Sequence, residues 1–256
     1  MEREERNTAA PALQKAARLL SGGGRVAVLT GAGISAESGI PTFRGADGLW
    51  RNFRASDLAT PEAFARDPKL VWEWYDWRRG LIGRARPNPG HETLARWEKT
   101  FADFHLITQN VDGLHPLAGS RKILELHGNI WKTRCTREGT IRENRQHPLA
   151  PLPPRCPECG SLLRPHIVWF GESLDPVVLD RAIAAVRACD VLLVVGTSAL
   201  VHPAASLPLL AVETGARLIE INPDETPLSP RADVSLRGRA GDILPRIEGA
   251  LRGRGD

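Results

Sequence analysis

Short apolar runs alternate along the chain with segments of helical spacing. Four runs are almost continuously β-branched or leucine-rich, and they cover residues 25–30, 104–108, 190–195 and 217–221. Such runs are typical of strands buried on both faces of a parallel sheet. Helical periodicity falls near residues 8–20, 91–101, 176–188, 203–214 and 241–251. The alternation predicts an α/β fold built on a doubly wound parallel sheet.

Two stretches interrupt this alternation. Residues 44–90 hold four of the seven Trp and the only Tyr without a strand pattern, and residues 131–170 hold three of the four Cys. We expect both to form a smaller domain, helical over 44–103 and zinc-ribbon-like over 131–170. The larger domain would then comprise the segments 1–43, 104–130 and 171–256.

Composition narrows the function classes. Of the 256 residues, 42% are apolar and 25% charged, which argues against disorder. The first residues lack the apolar stretch of a secretory signal, and the longest apolar run, 191–195, is too short for a membrane span. We therefore expect a cytoplasmic protein with no membrane partner. The net charge of +4 is scattered, without the basic patch of a specific nucleic-acid surface.

A glycine-rich turn follows the first predicted strand. Gly31-Ala32-Gly33 leads into a helix start, where backbone N–H groups can hold a phosphate. However, Ala36 stands where the dinucleotide fingerprint has its third glycine, so the spacing alone leaves phosphate binding and a merely tight turn both open.

Further motifs follow in an order that resembles the sirtuin family of NAD-dependent protein lysine deacylases. They are Gly-Ala-Gly-Ile-Ser at 31–35, Pro-Thr-Phe-Arg-Gly at 41–45, Gln-Asn-Val-Asp-Gly-Leu-His at 109–115, Leu-His-Gly-Asn at 126–129, Gly-Thr-Ser at 196–198, Pro-Ala-Ala at 203–205 and Ile-Asn-Pro at 221–223. Each motif alone is weak, but the ordered set spans 25–245 and is specific. The resemblance implies a Rossmann-like NAD domain, with catalysis in a cleft beside the smaller domain.

The resemblance also implies roles for individual residues. His127 would be the general base, and Asn110 and Asp112 would line the nicotinamide pocket and take part in catalysis. The implied NAD contacts are Gly31, Ala32, Gly33, Ser35, Ile40, Thr42, Phe43, Arg44, Trp50, Gln109, Asn110, Val111, Asp112, Gly196, Thr197, Ser198, Asn222, Pro223, Asp224 and Ala240.

The implied reaction removes an acyl group from a protein lysine, and acylated lysine side chains are the expected partners. Its products would be nicotinamide, free lysine and O-acyl-ADP-ribose. Imidazole suits the base because its ordinary pKa of about 6.5 lies near operating pH. Protein ADP-ribosylation, NAD hydrolysis and an NAD or ADP-ribose sensor without turnover remain alternatives. The presence of Asn110, Asp112 and His127 argues against the sensor.

Two features bear on the acyl substrate. Tyr75 and Arg78 are three residues apart in a helical segment, so they share a face and can bind a carboxylate. This Tyr-x-x-Arg resembles the class III branch that removes succinyl and malonyl groups; a packed Tyr beside a solvated Arg is the alternative. Val168, Phe170 and Gly171 match a stretch that flanks the peptide in sirtuins, although it could simply be a strand returning to the larger domain.

The cysteines suggest a structural zinc site with one unusual position. Cys156 and Cys159 form a Cys-x-x-Cys pair, but Glu138 stands three residues after Cys135, where the family carries its other cysteine. Glu138, His147 or a water would complete a three-cysteine site, or the module has lost its metal and is held by packing alone.

Overall fold

A computed structural model describes residues 2–22, 24–41, 49–50 and 53–253, with side chains described outside 2–9 and 49–50. Strands and helices are numbered in chain order. Its centre is a six-stranded parallel sheet. In spatial order the strands are β11 (Val234–Arg237), β10 (Arg217–Asn222), β9 (Val191–Val195), β1 (Arg25–Thr30), β4 (Asp103–Thr108) and β5 (Ile123–Glu125).

The strand order shows how the chain winds. From β1 the chain adds β4 and β5 on one side, then returns to place β9, β10 and β11 on the other. This is the order of dinucleotide-binding sheets, and it confirms the predicted doubly wound α/β fold. The order reverses between β1 and β9, so a crevice is expected beyond the carboxyl ends of these two strands.

Helices cover both faces of the sheet. Alternate residues of β1 point to opposite sides, with Val26 and Val28 in one core and Ala27 and Leu29 in the other. The first core is covered by α1 (Glu2–Ser21), α6 (Pro89–Thr100) and α10 (Ala240–Arg252). The second is covered by α8 (Pro176–Ala188) and α9 (Leu207–Glu213). Both faces are apolar, which explains the nearly continuous hydrophobic runs of the strands.

A third core belongs to the smaller domain and is rich in aromatic residues, including Trp72, Trp74, Tyr75 and Trp169. Its helices are α3 (Ala55–Leu58), α4 (Pro61–Arg66) and α5 (Pro68–Arg84). Its strands are the antiparallel sheet β7 (Ile141–Glu143), β6 (Gly128–Cys135) and β8 (Leu163–Ile167), and the pair β2 (Leu49–Trp50) and β3 (Phe53–Arg54).

The packing of α6 differs from the predicted helical segment 44–103. Leu94 and Trp97 of this helix are buried in the first sheet core rather than in the third. The helix is capped by Asn88, whose Nδ2 donates to the Ile34 carbonyl at 2.7 Å. The part of the segment that packs in the aromatic core therefore ends before residue 88.

Two short helices follow the strands β1 and β4 at their carboxyl ends. They are α2 (Gly33–Ala36), directly after the glycine turn, and α7 (Leu114–Ala118), which follows β4. Among the described helices, none combines the length and the apolar character that crossing a membrane requires.

Candidate functional site

The glycine turn lies at the point where the strand order reverses. Gly31 N donates to the Val195 carbonyl at 3.0 Å, and Gly33 N donates to the Gly196 carbonyl at 2.8 Å. Gly196 has φ +61°, and a Cβ there would lie 2.4 Å from the backbone nitrogen of Ile34. Only glycine fits at this approach. The ends of β1 and β9 are thus held together at the position where such sheets bind phosphates.

Three predicted NAD contacts meet beside this turn. Gln109 Nε2 donates to Thr197 Oγ1 at 3.0 Å, and Asn222 Nδ2 donates to the Thr197 carbonyl at 2.8 Å. These residues follow or end three different strands, so the strand order brings them together. Ala240 begins α10 and is 3% exposed. Its role at the adenine remains a prediction.

A cluster of hydrogen-bonded polar side chains lies beside the turn. Asn110 Nδ2 donates to the Gly31 carbonyl at 3.0 Å and to Ser35 Oγ at 3.2 Å. Ser35 Oγ donates to one Asp112 oxygen at 2.8 Å, and Leu114 N donates to the other at 2.8 Å. Burial raises the pKa of the Asp112 carboxyl, and these two bonds lower it. The arrangement offers a buried carboxylate and an amide, which suit recognition of a carboxamide.

His127 is bonded to Gln109, the residue before Asn110, and has a defined tautomer. Its Nδ1 is 2.9 Å from the Gln109 carbonyl oxygen, which can only accept, so Nδ1 carries the hydrogen. The Nε2 lone pair is therefore the basic site. Burial lowers the pKa of His127, while the bond to Gln109 raises it. The ring is thus neutral at physiological pH and able to accept a proton.

Tyr75 and Arg78 lie on α5, Tyr75 in the aromatic core of the smaller domain and Arg78 beside the Trp74 and Tyr75 rings. Tyr75 is fully buried and its hydroxyl accepts from Trp169 Nε1 at 2.9 Å, which leaves the O–H hydrogen for another acceptor. Burial raises the pKa of Tyr75 to about 12. Arg78 is half-buried, with its Cζ 5.0 Å from the Trp74 ring centroid. Burial lowers the pKa of Arg78, whereas attraction to Tyr75 and Asp112 raises it.

The stretch predicted to flank a peptide substrate follows β8 directly and passes His127. Val168 N donates to the His127 carbonyl at 3.0 Å, and Phe170 N donates to the Ala59 carbonyl at 2.9 Å. The Phe170 side chain is 58% exposed, and Gly171 has φ +85°. The stretch therefore borders His127 and presents an aromatic ring to solvent.

The cysteines form one cluster in the smaller domain. One potential ligand atom each from Cys135, Glu138, Cys156 and Cys159 lies within 4.8 Å of the others. Three sulfur donors with a carboxylate fit the ligands that zinc accepts in structural sites. His147 is not in this group, since its Nδ1 is 3.1 Å from Asp76 Oδ1.

Some site features have no signal in the sequence. Trp169 fixes the Tyr75 hydroxyl, and Trp131 Nε1 donates to the Asp112 carbonyl at 2.8 Å. Both contacts join distant segments, so no local motif indicates them. Of the predicted NAD contacts, Thr42, Phe43, Arg44 and the side chain of Trp50 lie outside the part of the chain that the structure describes.

Comparison with known proteins gives consistent matches. The sequence profile of the Sir2 family matches residues 31–203. An NAD-dependent protein deacylase of Aquifex aeolicus (strain VF5) is 57% identical over 89% of this chain and 95% of its own. NAD-dependent protein deacylase 1 of Archaeoglobus fulgidus is 55% identical over 86% of this chain and 89% of its own.

Solved structures agree. A Sir2 homolog–NAD complex superposes with a TM-score of 0.86 at 50% identity, covering 94% of this chain and 93% of the other. Sir2Af2 bound to a myristoylated histone peptide superposes with a TM-score of 0.77 at 34% identity, and the match covers 96% of this chain and 99% of the other.

Proposed function

Because the chain belongs to the Sir2 family, we propose that it is an NAD-dependent protein lysine deacylase. One observation carries the proposal: the hydrogen-bonded Asn110–Ser35–Asp112 cluster lies beside the glycine turn, and the Gln109 carbonyl next to Asn110 fixes the tautomer of His127. We propose that Asn110 and Asp112 bind the carboxamide, that His127 is the base and that the glycine turn holds the phosphates. These are the groups that cleavage of a nicotinamide–ribose bond and the following proton transfer require.

The chain's residues divide the work in the proposed reaction. Bound NAD supplies the electrophilic ribose carbon and nicotinamide as the leaving group. The Gly31 and Gly33 turn leaves room for its phosphates, and Asn110 and Asp112 orient the carboxamide. His127 Nε2 accepts the ribose hydroxyl proton, and the Gln109 carbonyl holds the ring in the required tautomer.

The function is tested by mass spectrometry of NAD incubated with one lysine peptide in acetyl, malonyl, succinyl and glutaryl forms. We expect nicotinamide, free lysine and O-acyl-ADP-ribose in equal amounts. His127→Gln should slow turnover by about 100-fold or more, whereas His105→Gln at the surface should not. NAD consumption without an acyl peptide would identify a hydrolase, and NAD binding without nicotinamide release would identify a sensor.

We further propose that acidic acyl groups are preferred, with acetyl as a secondary substrate. The Tyr75 hydroxyl has a hydrogen to donate, and Arg78 is a half-buried cation on the same face of α5. A succinyl or malonyl carboxylate between them would receive bonds from a guanidinium and a phenol, and these are strong at a site removed from water. A plain deacetylase is the alternative.

The acyl preference predicts a selective effect of Arg78→Met. Desuccinylation should fall about 10- to 100-fold, because a charge-assisted bond is lost, while deacetylation is largely kept. Tyr75→Phe should act in the same direction with a smaller effect. Arg84→Met, an exposed position on the same helix, is the matched control. Equal loss of both activities after Arg78→Met would refute the preference.

Zinc would be held by Cys135, Cys156 and Cys159, and its contribution would be structural, because it would cross-link the turn after Cys135 to the turn that holds Cys156 and Cys159. Acylated proteins are the proposed partners. The cytoplasmic location expected from the sequence remains a proposal.

A further inference from the structure

The cysteine cluster is built from two turns of the same shape. The first runs from Cys135 to Gly139 and the second from Cys156 to Gly160. In each, the glycine has a positive φ, +71° and +70°, and its N–H donates to the carbonyl of the first cysteine, at 3.0 Å and 2.9 Å. Glu138 thus occupies in the first turn the place that Cys159 occupies in the second.

Distances within the cluster suit a tetrahedral ion. Cys135 Sγ and Cys159 Sγ are 3.4 Å apart, and all four donor atoms lie within 4.8 Å of one another. Zinc with bonds of about 2.3 Å to sulfur and about 2.1 Å to oxygen has ligand–ligand separations of about 3.5–3.8 Å. The backbone N–H of Glu138 also points to Cys135 Sγ at 3.5 Å, as expected for a site that holds a thiolate.

Competing side chains have other partners. His147 is bonded to Asp76, and its ring lies over Gly80, where an added Cβ would be 2.7 Å from Nε2. Glu158 is adjacent to Cys159 but forms an ion pair with Arg142 and is outside the donor group. Glu138 is the carboxylate whose oxygen lies among the sulfur atoms.

We infer that Glu138 is the fourth zinc ligand, which makes this a three-thiolate, one-carboxylate site. The residue is exposed, whereas Cys135 and Cys156 are buried, so the metal is open to solvent on the carboxylate side. An oxygen donor on that side is replaced by water or a chelator more readily than a thiolate is. The ion is therefore held less tightly than four cysteines would hold it. This inference concerns metal content and does not depend on the proposed deacylation.

The experiment measures metal release from the full chain. Wild type, Glu138→Gln, Glu138→Cys and the control Glu158→Gln are loaded with one equivalent of zinc, and transfer to a chromogenic chelator is timed. We expect Glu138→Gln to release zinc at least ten-fold faster than wild type and Glu138→Cys at least ten-fold slower. Glu158→Gln should match wild type. Far-UV circular dichroism confirms that each variant is folded.

Cobalt substitution gives a second readout. The charge-transfer absorption from sulfur should be about three-quarters as strong in wild type as in Glu138→Cys, because three thiolates bind instead of four. Identical release rates for wild type and Glu138→Gln would overturn the inference and assign the fourth position to water. Failure of the folded wild type to bind either metal would also overturn it. Neither outcome alters the expectations for NAD turnover.

Discussion

At the scale of single residues, the protonation state of His127 follows from one hydrogen bond and from burial of the ring. The Gln109 carbonyl fixes the hydrogen on Nδ1, and burial of the ring disfavours the imidazolium. Asp112 is affected oppositely, since burial raises the pKa of its carboxyl. The site thus holds a histidine kept neutral and a carboxyl whose charge is stabilised by two hydrogen bonds and by attraction to Arg78.

A pH profile tests the state of His127. Because the pKa of His127 is lowered from its ordinary value of 6.5, the acid limb of kcat/KM for an acetylated peptide should be centred below pH 6.5. The acetyl substrate is chosen because it has no titrating carboxylate. An acid limb centred at or above 6.5 would contradict the assignment.

At the scale of elements, Arg79 joins helix α5 to the smaller domain's sheet. Its side chain is fully buried, and both Nε and Nη2 donate to the Ile130 carbonyl, at 3.0 Å and 2.7 Å. Its Cζ lies 5.5 Å from the Trp72 ring and 5.7 Å from the Trp131 ring. Burial lowers the pKa of Arg79 to about 10. The neighbouring Arg78 lies instead beside the Trp74 and Tyr75 rings, so the two adjacent arginines contact different residues.

Arg79→Met should destabilise the protein by about 3 kcal/mol, because the Ile130 carbonyl loses its donors inside the core. Arg79→Lys keeps the charge but not the planar fork, so it should recover only part of the loss. Unfolding in guanidinium, followed by tryptophan fluorescence, measures the change. Arg84→Met should stay within about 0.5 kcal/mol of wild type; an equal effect at the two positions would show that Arg79 has no special role.

Some features of the fold and of the site could be predicted from the sequence, and others could not. Local patterns sufficed for the buried strands and the glycine turn, because periodicity and turn chemistry act over a few residues. They could not assign α6 to the sheet core, since its apolar face reads the same whichever core it packs against. Nor could they choose among ligands for the fourth zinc position, because the choice depends on where Asp76 holds His147.

At the scale of the whole molecule, several histidines are held neutral in the interior. Burial lowers the pKa of four of the seven, and these are His91, His115, His127 and His166. His91 and His115 are nearly or fully buried, with ring centroids 4.9 Å apart, and His115 Nε2 is 3.0 Å from Thr30 Oγ1. A proton on either ring would place a charge between the sheet and α6, where burial disfavours it.

This arrangement predicts that stability falls as the solution is acidified. The pKa of His91 is about 4 in the folded chain and about 6.5 when unfolded, so between these values the unfolded chain binds more protons. The stabilisation is complete above 6.5 and is lost as pH falls towards 4, by about 3 kcal/mol for His91 alone. Asp112, whose pKa is raised, acts in the opposite direction.

Guanidinium unfolding at pH 7, 6 and 5 measures this loss above the range where most carboxylates titrate. His91→Gln should reduce the dependence on pH, and glutamine at the third position of α6 can still accept a bond from the backbone of Asn88. His105→Gln, at the surface beside Asp103, is the control and should keep the wild-type slope. Equal free energies of unfolding of the wild type at pH 7 and pH 5 would mean that the folded chain binds these protons as readily as the unfolded chain. The buried histidines would then not be the cause of any loss of stability in acid.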